Sequence, residues 1–160
     1  MVEFIEAYDH YSDAIFRHCY FRLGDRELAK DLMQETFMRT WEYLKEKGPV
    51  ENLRAFLYRI ANNLVIDHVR KKKESSLEAK METGWEPRAD DAHTQAQIDG
   101  RQIFELLDRV GPEYREVIIM RYVDDLTPKE IADVLGESAN SVSVRLNRAI
   151  QKLRNFFPHE

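Results

Sequence analysis

Residues 126–153 leave little freedom in how they fold. Thr127-Pro128-Lys129-Glu130 reads as a capping box: Thr127 is the N-cap, Pro128 takes a first-turn position where its missing N–H costs nothing, and Glu130 reaches back from the third helical position. Leu126 and Ile131 stand at the staple positions, Ile131, Ala132 and Leu135 supply an inward face, and Gly136 takes the turn. Ser138 then caps a second helix, about residues 139–155, with Val142, Leu146, Ala149, Ile150 and Leu153 facing inward. Two short helices joined by a glycine-bearing turn, the second one basic, make a helix-turn-helix, which lays its second helix in the DNA major groove. The outward positions of that helix are short, basic or hydrogen-bonding: Ser141, Ser143, Val144, Arg145, Asn147, Arg148 and Lys152. A plain helical hairpin would share the inward pattern but has no need of that outer face.

The rest of the chain is also helix-periodic, which predicts an all-α fold. Tyr8, Tyr11, Ile15, Cys19 and Leu23 recur at spacings of three and four up to Gly24. A second helix, about residues 26–45, carries Leu28, Leu32, Phe37, Trp41 and Leu44, and Gly48-Pro49 ends it. A third, about residues 52–72, buries Leu53, Phe56, Leu57, Ile60, Ala61 and Leu64. Residues 73–96 show no sustained period and are acidic, which predicts a largely unstructured linker. Beyond it come a helix of about residues 97–110 and another of about 112–123, separated by Gly111-Pro112. The expected organisation is thus two small helical domains, residues 1–73 and 97–160, joined by a flexible linker over 74–96.

Composition narrows the function. No run of apolar residues is long enough to span a membrane, the first residues lack the pattern of a secretory signal, and the single cysteine, Cys19, allows neither an internal disulfide nor a zinc cluster. These features point to a cytoplasmic protein. The net charge of −5 conceals two basic stretches. Residues 54–73 hold six basic side chains against one acid, Asp67, and residues 138–158 hold Arg145, Arg148, Lys152 and Arg154 with no acid. Both are consistent with contacts to a polyanion and equally, on charge alone, with solvated helix faces.

Two further faces carry side chains that the core does not need. On the third helix Arg59, Asn62, Asn63, Ile66 and Arg70 share a stripe; asparagines can pair with base edges, arginines hold phosphates, and the neighbouring Tyr58 could stack on an exposed base. Taken alone, that stripe is better explained as a solvated face with tyrosine at the core rim. On the second helix Asp31, Gln34 and Glu35 lie together, with Met38 continuing the face. Paired carboxylates can do acid–base or metal chemistry, but the five histidines show no ligand spacing and no glycine-rich phosphate loop is present. A protein-docking face is the more economical reading, with no enzyme activity and no cofactor or metal.

The whole pattern resembles one family. Residues 25–41 (DRELAKDLMQETFMRTW) are similar to the polymerase-docking helix of region 2 in extracytoplasmic-function sigma factors of bacterial RNA polymerase. Residues 53–70 (LRAFLYRIANNLVIDHVR) resemble the adjoining stretch that reads and melts the −10 element, and residues 126–153 resemble the region 4 helix-turn-helix that reads the −35 element. The resemblance implies a factor that binds core polymerase and directs promoter-specific initiation. Asp31, Gln34, Glu35 and Met38 would meet the β′ clamp helices; Arg59, Asn62, Asn63, Ile66 and Arg70 would face the opened −10 DNA; the loop near residues 45–52 would capture a flipped-out base. Region 4 would read the −35 element through the seven outward residues of its second helix and touch the β flap, and an anti-sigma factor is an implied partner. Three positions depart from the family: Asn140 stands where glycine is usual, Ser143 where lysine or arginine is frequent, and Asn147 where histidine or phenylalanine is common. The loss of a basic side chain at 143 bears on which −35 sequence is read.

Two other classes fit part of the sequence. A stand-alone helix-turn-helix regulator would need only residues 97–160 and would leave the acidic face and the Arg59–Arg70 stripe without a role. A carboxylate-metal hydrolase would need a third ligand that the sequence does not offer.

Overall fold

The computed structural model describes the backbone of residues 2–83 and 95–156 and the side chains of residues 3–75 and 102–156. Within these residues every regular element is a helix. Helix α1 spans Val2–Leu23, α2 Arg26–Lys47, α3 Leu53–Thr83, α4 Gln95–Val110, α5 Pro112–Ile118, α6 Pro128–Leu135 and α7 Ala139–Arg154.

The sequence punctuation works as its chemistry requires. Asp25 accepts a hydrogen bond from the Leu28 N–H and starts α2, while Gly48 closes that helix at φ 85°, a left-handed conformation that favours glycine. At α6 the capping box is complete: Thr127 Oγ1 accepts from the Glu130 N–H, and Glu130 Oε1 accepts from the Thr127 N–H, each at 3.1 Å. Gly136 ends α6 in the αL region, and Ser138 Oγ accepts from the Ser141 N–H to begin α7. Thr127→Ala removes one of the two reciprocal bonds and should lower stability by about 1 kcal/mol, read from the denaturation midpoint at an unchanged m-value.

Two elements differ from the sequence expectation. Helix α3 does not stop near residue 72 but continues to Thr83, so residues 73–83, expected to be largely unstructured, are helical. They contain Lys, Glu, Leu, Ala and Met, all good helix formers, and the next residue is Gly84. A helix can thus form here without a sustained apolar period in the sequence. Residues 84–94 of the expected linker lie outside the described residues. The expected helix over 112–123 is in fact α5 followed by a π-helical turn, Ile119–Val123, where the Asp124 N–H reaches back to the Ile119 carbonyl at 2.9 Å. Val117, Ile118, Ile119 and Met120 are buried in succession because α7 packs on α5 while α1 packs on the π turn.

Helices α1, α2 and α3 form one block and α4–α7 the other, and the blocks lie against each other. Helix α3 packs on α6, α1 packs on the π turn, and the Phe104 ring sits between Tyr20 and Phe21 at centroid distances of 5.4 and 5.5 Å. The buried apolar residues of both blocks, from Ile15 and Tyr58 to Ile131 and Val142, therefore join in one cluster.

Candidate nucleic-acid interface

Helix α7 turns Val142, Leu146 and Ala149 into the core, so the 3.6-residue period places Ser141, Val144, Asn147 and Arg148 on the outside. Asn147 and Arg148 stand in solvent, and Arg148 has no ion-pair partner among the described residues. Ser143 is half-buried. Three members of the expected face are already engaged. Ser141 Oγ donates to Glu137 Oε1 at 3.3 Å. Arg145 pairs with Glu137 at 2.8 Å and with Glu116 at 3.6 Å, tying α7 to the preceding turn and to α5. Lys152 Nζ donates to the Val110 carbonyl at 2.9 Å and lies 5.3 Å from the Tyr114 ring centre, a cation at the carboxyl end of α4. The exposed outer face of α7 thus centres on Ser141, Val144, Asn147 and Arg148, with Arg145 and Lys152 at its margin.

On α3 the exposed stripe is Arg59, Asn63, Ile66 and Arg70, with Arg70 paired to Asp67. Asn62 is not part of it. It is 1% exposed and its Oδ1 accepts a hydrogen bond from Arg22, because position 62 lies one residue, about 100°, round the helix from Asn63 and faces α1. Tyr58, considered for base stacking, is also 1% exposed: its ring meets the edge of His18 at 5.6 Å and lies under the Arg54 guanidinium at 5.7 Å. It is a core residue.

Helix α2 buries Ala29, Met33, Thr36, Phe37 and Thr40, while Thr36 and Thr40 return their hydroxyls to the carbonyls of Leu32 and Thr36 at 2.7 Å. That leaves Asp31, Gln34 and Met38 exposed and Glu35 half-exposed, paired with Arg39 at 2.9 Å. Met38 is 60% exposed, a large apolar side chain amid polar ones.

The residues that sequence reading missed lie between the blocks. His18 Nδ1 is 2.6 Å from Asp124 Oδ2 with both side chains fully buried. Arg22 reaches Glu116 at 3.5 Å, and burial followed by the opposing pull of Glu116 leaves its guanidinium below the usual arginine range. Arg54 donates to Glu130 at 2.7 Å and to the carbonyls of Asp124 and Asp125 at 2.8 and 3.0 Å. Burial pulls the Glu130 carboxyl upward, but the Thr127 N–H and Arg54 outweigh it and hold the group below its ordinary value. The Glu130 contribution to stability is therefore complete above the ordinary carboxylate range and is lost as pH falls through the depressed value. The available signal was His18 itself, three residues after Ile15 on the buried side of α1; nothing in the sequence pairs it with Asp124.

Burial pushes the Cys19 thiol up to about 12, with Arg22 partly opposing. At neutral pH it should resist a thiol-alkylating reagent in the folded chain and react once urea unfolds it, as followed by intact mass. Among the described residues no group of histidine, cysteine and acidic side chains is placed to hold a metal ion, and no helix is long and apolar enough to cross a membrane.

Comparison with known proteins matches residues 7–75 to sigma-70 region 2 and residues 100–153 to sigma-70 region 4. The chain is 31% identical over 165 residues to the ECF RNA polymerase sigma factor SigW of Bacillus subtilis, covering 94% of this chain and 87% of that one. It is 28% identical to SigM of the same organism, covering 95% and 93%. In fold it is similar to the sigma factor RpoE solved in complex with the anti-sigma factor NepR from Bartonella quintana, with a TM-score of 0.75, 18% identity and coverage of 97% and 96%. It is equally similar to CnrH in complex with the cytosolic domain of CnrY, with a TM-score of 0.75, 23% identity and coverage of 96% and 86%.

Proposed function

Because the chain belongs to the ECF RNA polymerase sigma factors, which act in transcription initiation, we propose that its three exposed faces divide the work of initiation among themselves. The α2 face, Asp31, Gln34, Glu35 and Met38, docks on the β′ clamp helices of core polymerase. The α3 stripe, Arg59, Asn63, Ile66 and Arg70, meets the −10 element as it opens, with the loop at residues 45–52 taking a flipped-out base. Helix α7 reads the −35 element in duplex form through Ser141, Ser143, Val144, Asn147 and Arg148, while Arg145 and Lys152 steady it and lie within reach of phosphates. Region 4 also meets the β flap, and an anti-sigma factor competes for the chain, as the anti-sigma factor NepR is bound to the sigma factor RpoE.

The observation that carries this reading is that α3 and α7 each present a polar stripe to solvent on the side opposite a fully packed one. Buried packing fixes each helix, so its outer side chains are pre-positioned. The two stripes share one chemistry. Each joins arginine and asparagine, which suit base edges and phosphates, to an exposed apolar side chain, Val144 on α7 and Ile66 on α3, so their assignment to duplex and opened DNA rests on the sigma region each belongs to. Arg148→Ala should relax −35 preference by about 1–3 kcal/mol at one base position. Asn63→Ala should spare duplex binding and reduce strand opening, read by permanganate reactivity of −10 thymines with holoenzyme. If Asn63→Ala opens DNA normally while Arg148→Ala loses opening even on a premelted −10 bubble, the two roles are reversed.

A further inference from the structure

The turn of the helix-turn-helix carries a charge that DNA repels. Glu137 stands between Gly136, which ends α6, and Ser138, which caps α7. Its N–H bonds the Ala132 carbonyl at 3.0 Å, so α6 fixes the backbone beneath the side chain. The carboxylate reaches forward along α7. Oε1 accepts from the Ser141 hydroxyl at 3.3 Å, and Oε2 accepts from the Arg145 guanidinium at 2.8 Å. On its other side Arg145 meets Glu116 of α5 at 3.6 Å, and Glu116 is shared with Arg22 at 3.5 Å. The row Arg22, Glu116, Arg145, Glu137 is therefore neutral, and Glu137 is the member that cancels Arg145. The pair is partly shielded, with 24% of the Arg145 and 30% of the Glu137 side chain exposed, and so is held more firmly than an open surface pair.

A carboxylate at a helix start also favours the helix dipole, but that role ends within the first turn. Glu137 instead reaches a side chain eight residues on. Arg145 lines, with Tyr114, Ser141 and Arg148, a cleft of about 390 Å³ between α5 and α7, which leaves the guanidinium room to turn outward. Arg145 and Arg148 are the only basic residues from Ala139 to Ala149, and of the two only Arg148 is unpaired among the described residues. Arginines beside a reading helix hold phosphates, which adds affinity for every sequence alike; base contacts separate one sequence from another. We propose that Glu137 is a positioning residue that withholds Arg145 from the DNA backbone and so limits the sequence-independent part of duplex binding. This rests on the reading of α7 as the helix that meets the −35 duplex. Glu137 then sets how strongly that duplex is held, and Arg148 which sequence is preferred.

The test uses holoenzyme assembled with the full chain, and two duplexes that differ only in a selected or a scrambled −35 element. Glu137→Ala frees Arg145, and Glu137→Gln, which keeps the size of the side chain, carries the test should the first variant fail to fold. Circular dichroism checks the fold. Releasing one cation to one phosphate should steepen the slope of log affinity against log salt by about 0.9, a gain about 3.5-fold larger at 50 mM than at 200 mM salt. Both duplexes should gain equally, leaving their affinity ratio at the parental value. In an Arg145→Gln background the removal of Glu137 should leave the slope unchanged. A parental slope in folded variants would overturn the proposal, as would a steeper slope that persists without Arg145 or a changed affinity ratio. A parent that does not distinguish the two duplexes would instead overturn the reading of α7, and the proposal with it.

Discussion

Tyr58→Ala is expected to destabilise the chain by about 3–5 kcal/mol, the range for truncating a large buried aromatic side chain. Among the described residues Tyr58 is the largest fully buried side chain, packed in the same cluster as Ile15, Val65 and Leu126. Its ring contacts His18 and Arg54, both of which reach the second block, so the cavity should loosen the seam between the blocks as well as the first block. Chemical denaturation should show the loss as a shifted midpoint. Tyr58→Phe keeps the volume and should lose much less. Equal losses for the two would mean that the hydroxyl, not the packing of the ring, holds this position.

The second large effect concerns docking. Reversing charge at Asp31 or at Glu35 should weaken assembly with core polymerase by about 1–3 kcal/mol each, the range for charge-assisted hydrogen bonds. Glu35 first gives up its exposed pair with Arg39, a contact worth little by itself, so the loss should appear in binding and not in stability. Titration of core polymerase against labelled chain measures it, with the thermal midpoint as control. Unchanged affinity in both variants would remove α2 from the interface.

Helical periodicity carried most of the fold into view, because each helix buries one face and its caps are short-range chemistry: Gly48, Thr127, Gly136 and Ser138 all act where the sequence put them. The extension of α3 through residue 83 was hidden because residues 73–83 carry no sustained apolar period, and helix propensity alone is a weak signal. The candidate faces were legible to the resolution of a helical wheel. Arg59, Asn63, Ile66 and Arg70 fall on the exposed side, but Asn62 sits one step away, and only the position of α1 decides that it is buried on Arg22. The seam was not legible. His18 and Asp124 are 106 residues apart, and a single pair at that separation leaves no periodic trace.

The central claim, that this chain brings core polymerase to a promoter and opens it at −10, is tested most directly by transcription from promoters selected with purified core polymerase and this protein. Transcripts should start at a fixed distance from a shared upstream element, should require the chain, and should coincide with permanganate-reactive thymines at −10 that Asn63→Ala diminishes. A folded chain that leaves core polymerase without any selected promoter, or that supports transcripts with no opened −10 region, would contradict it.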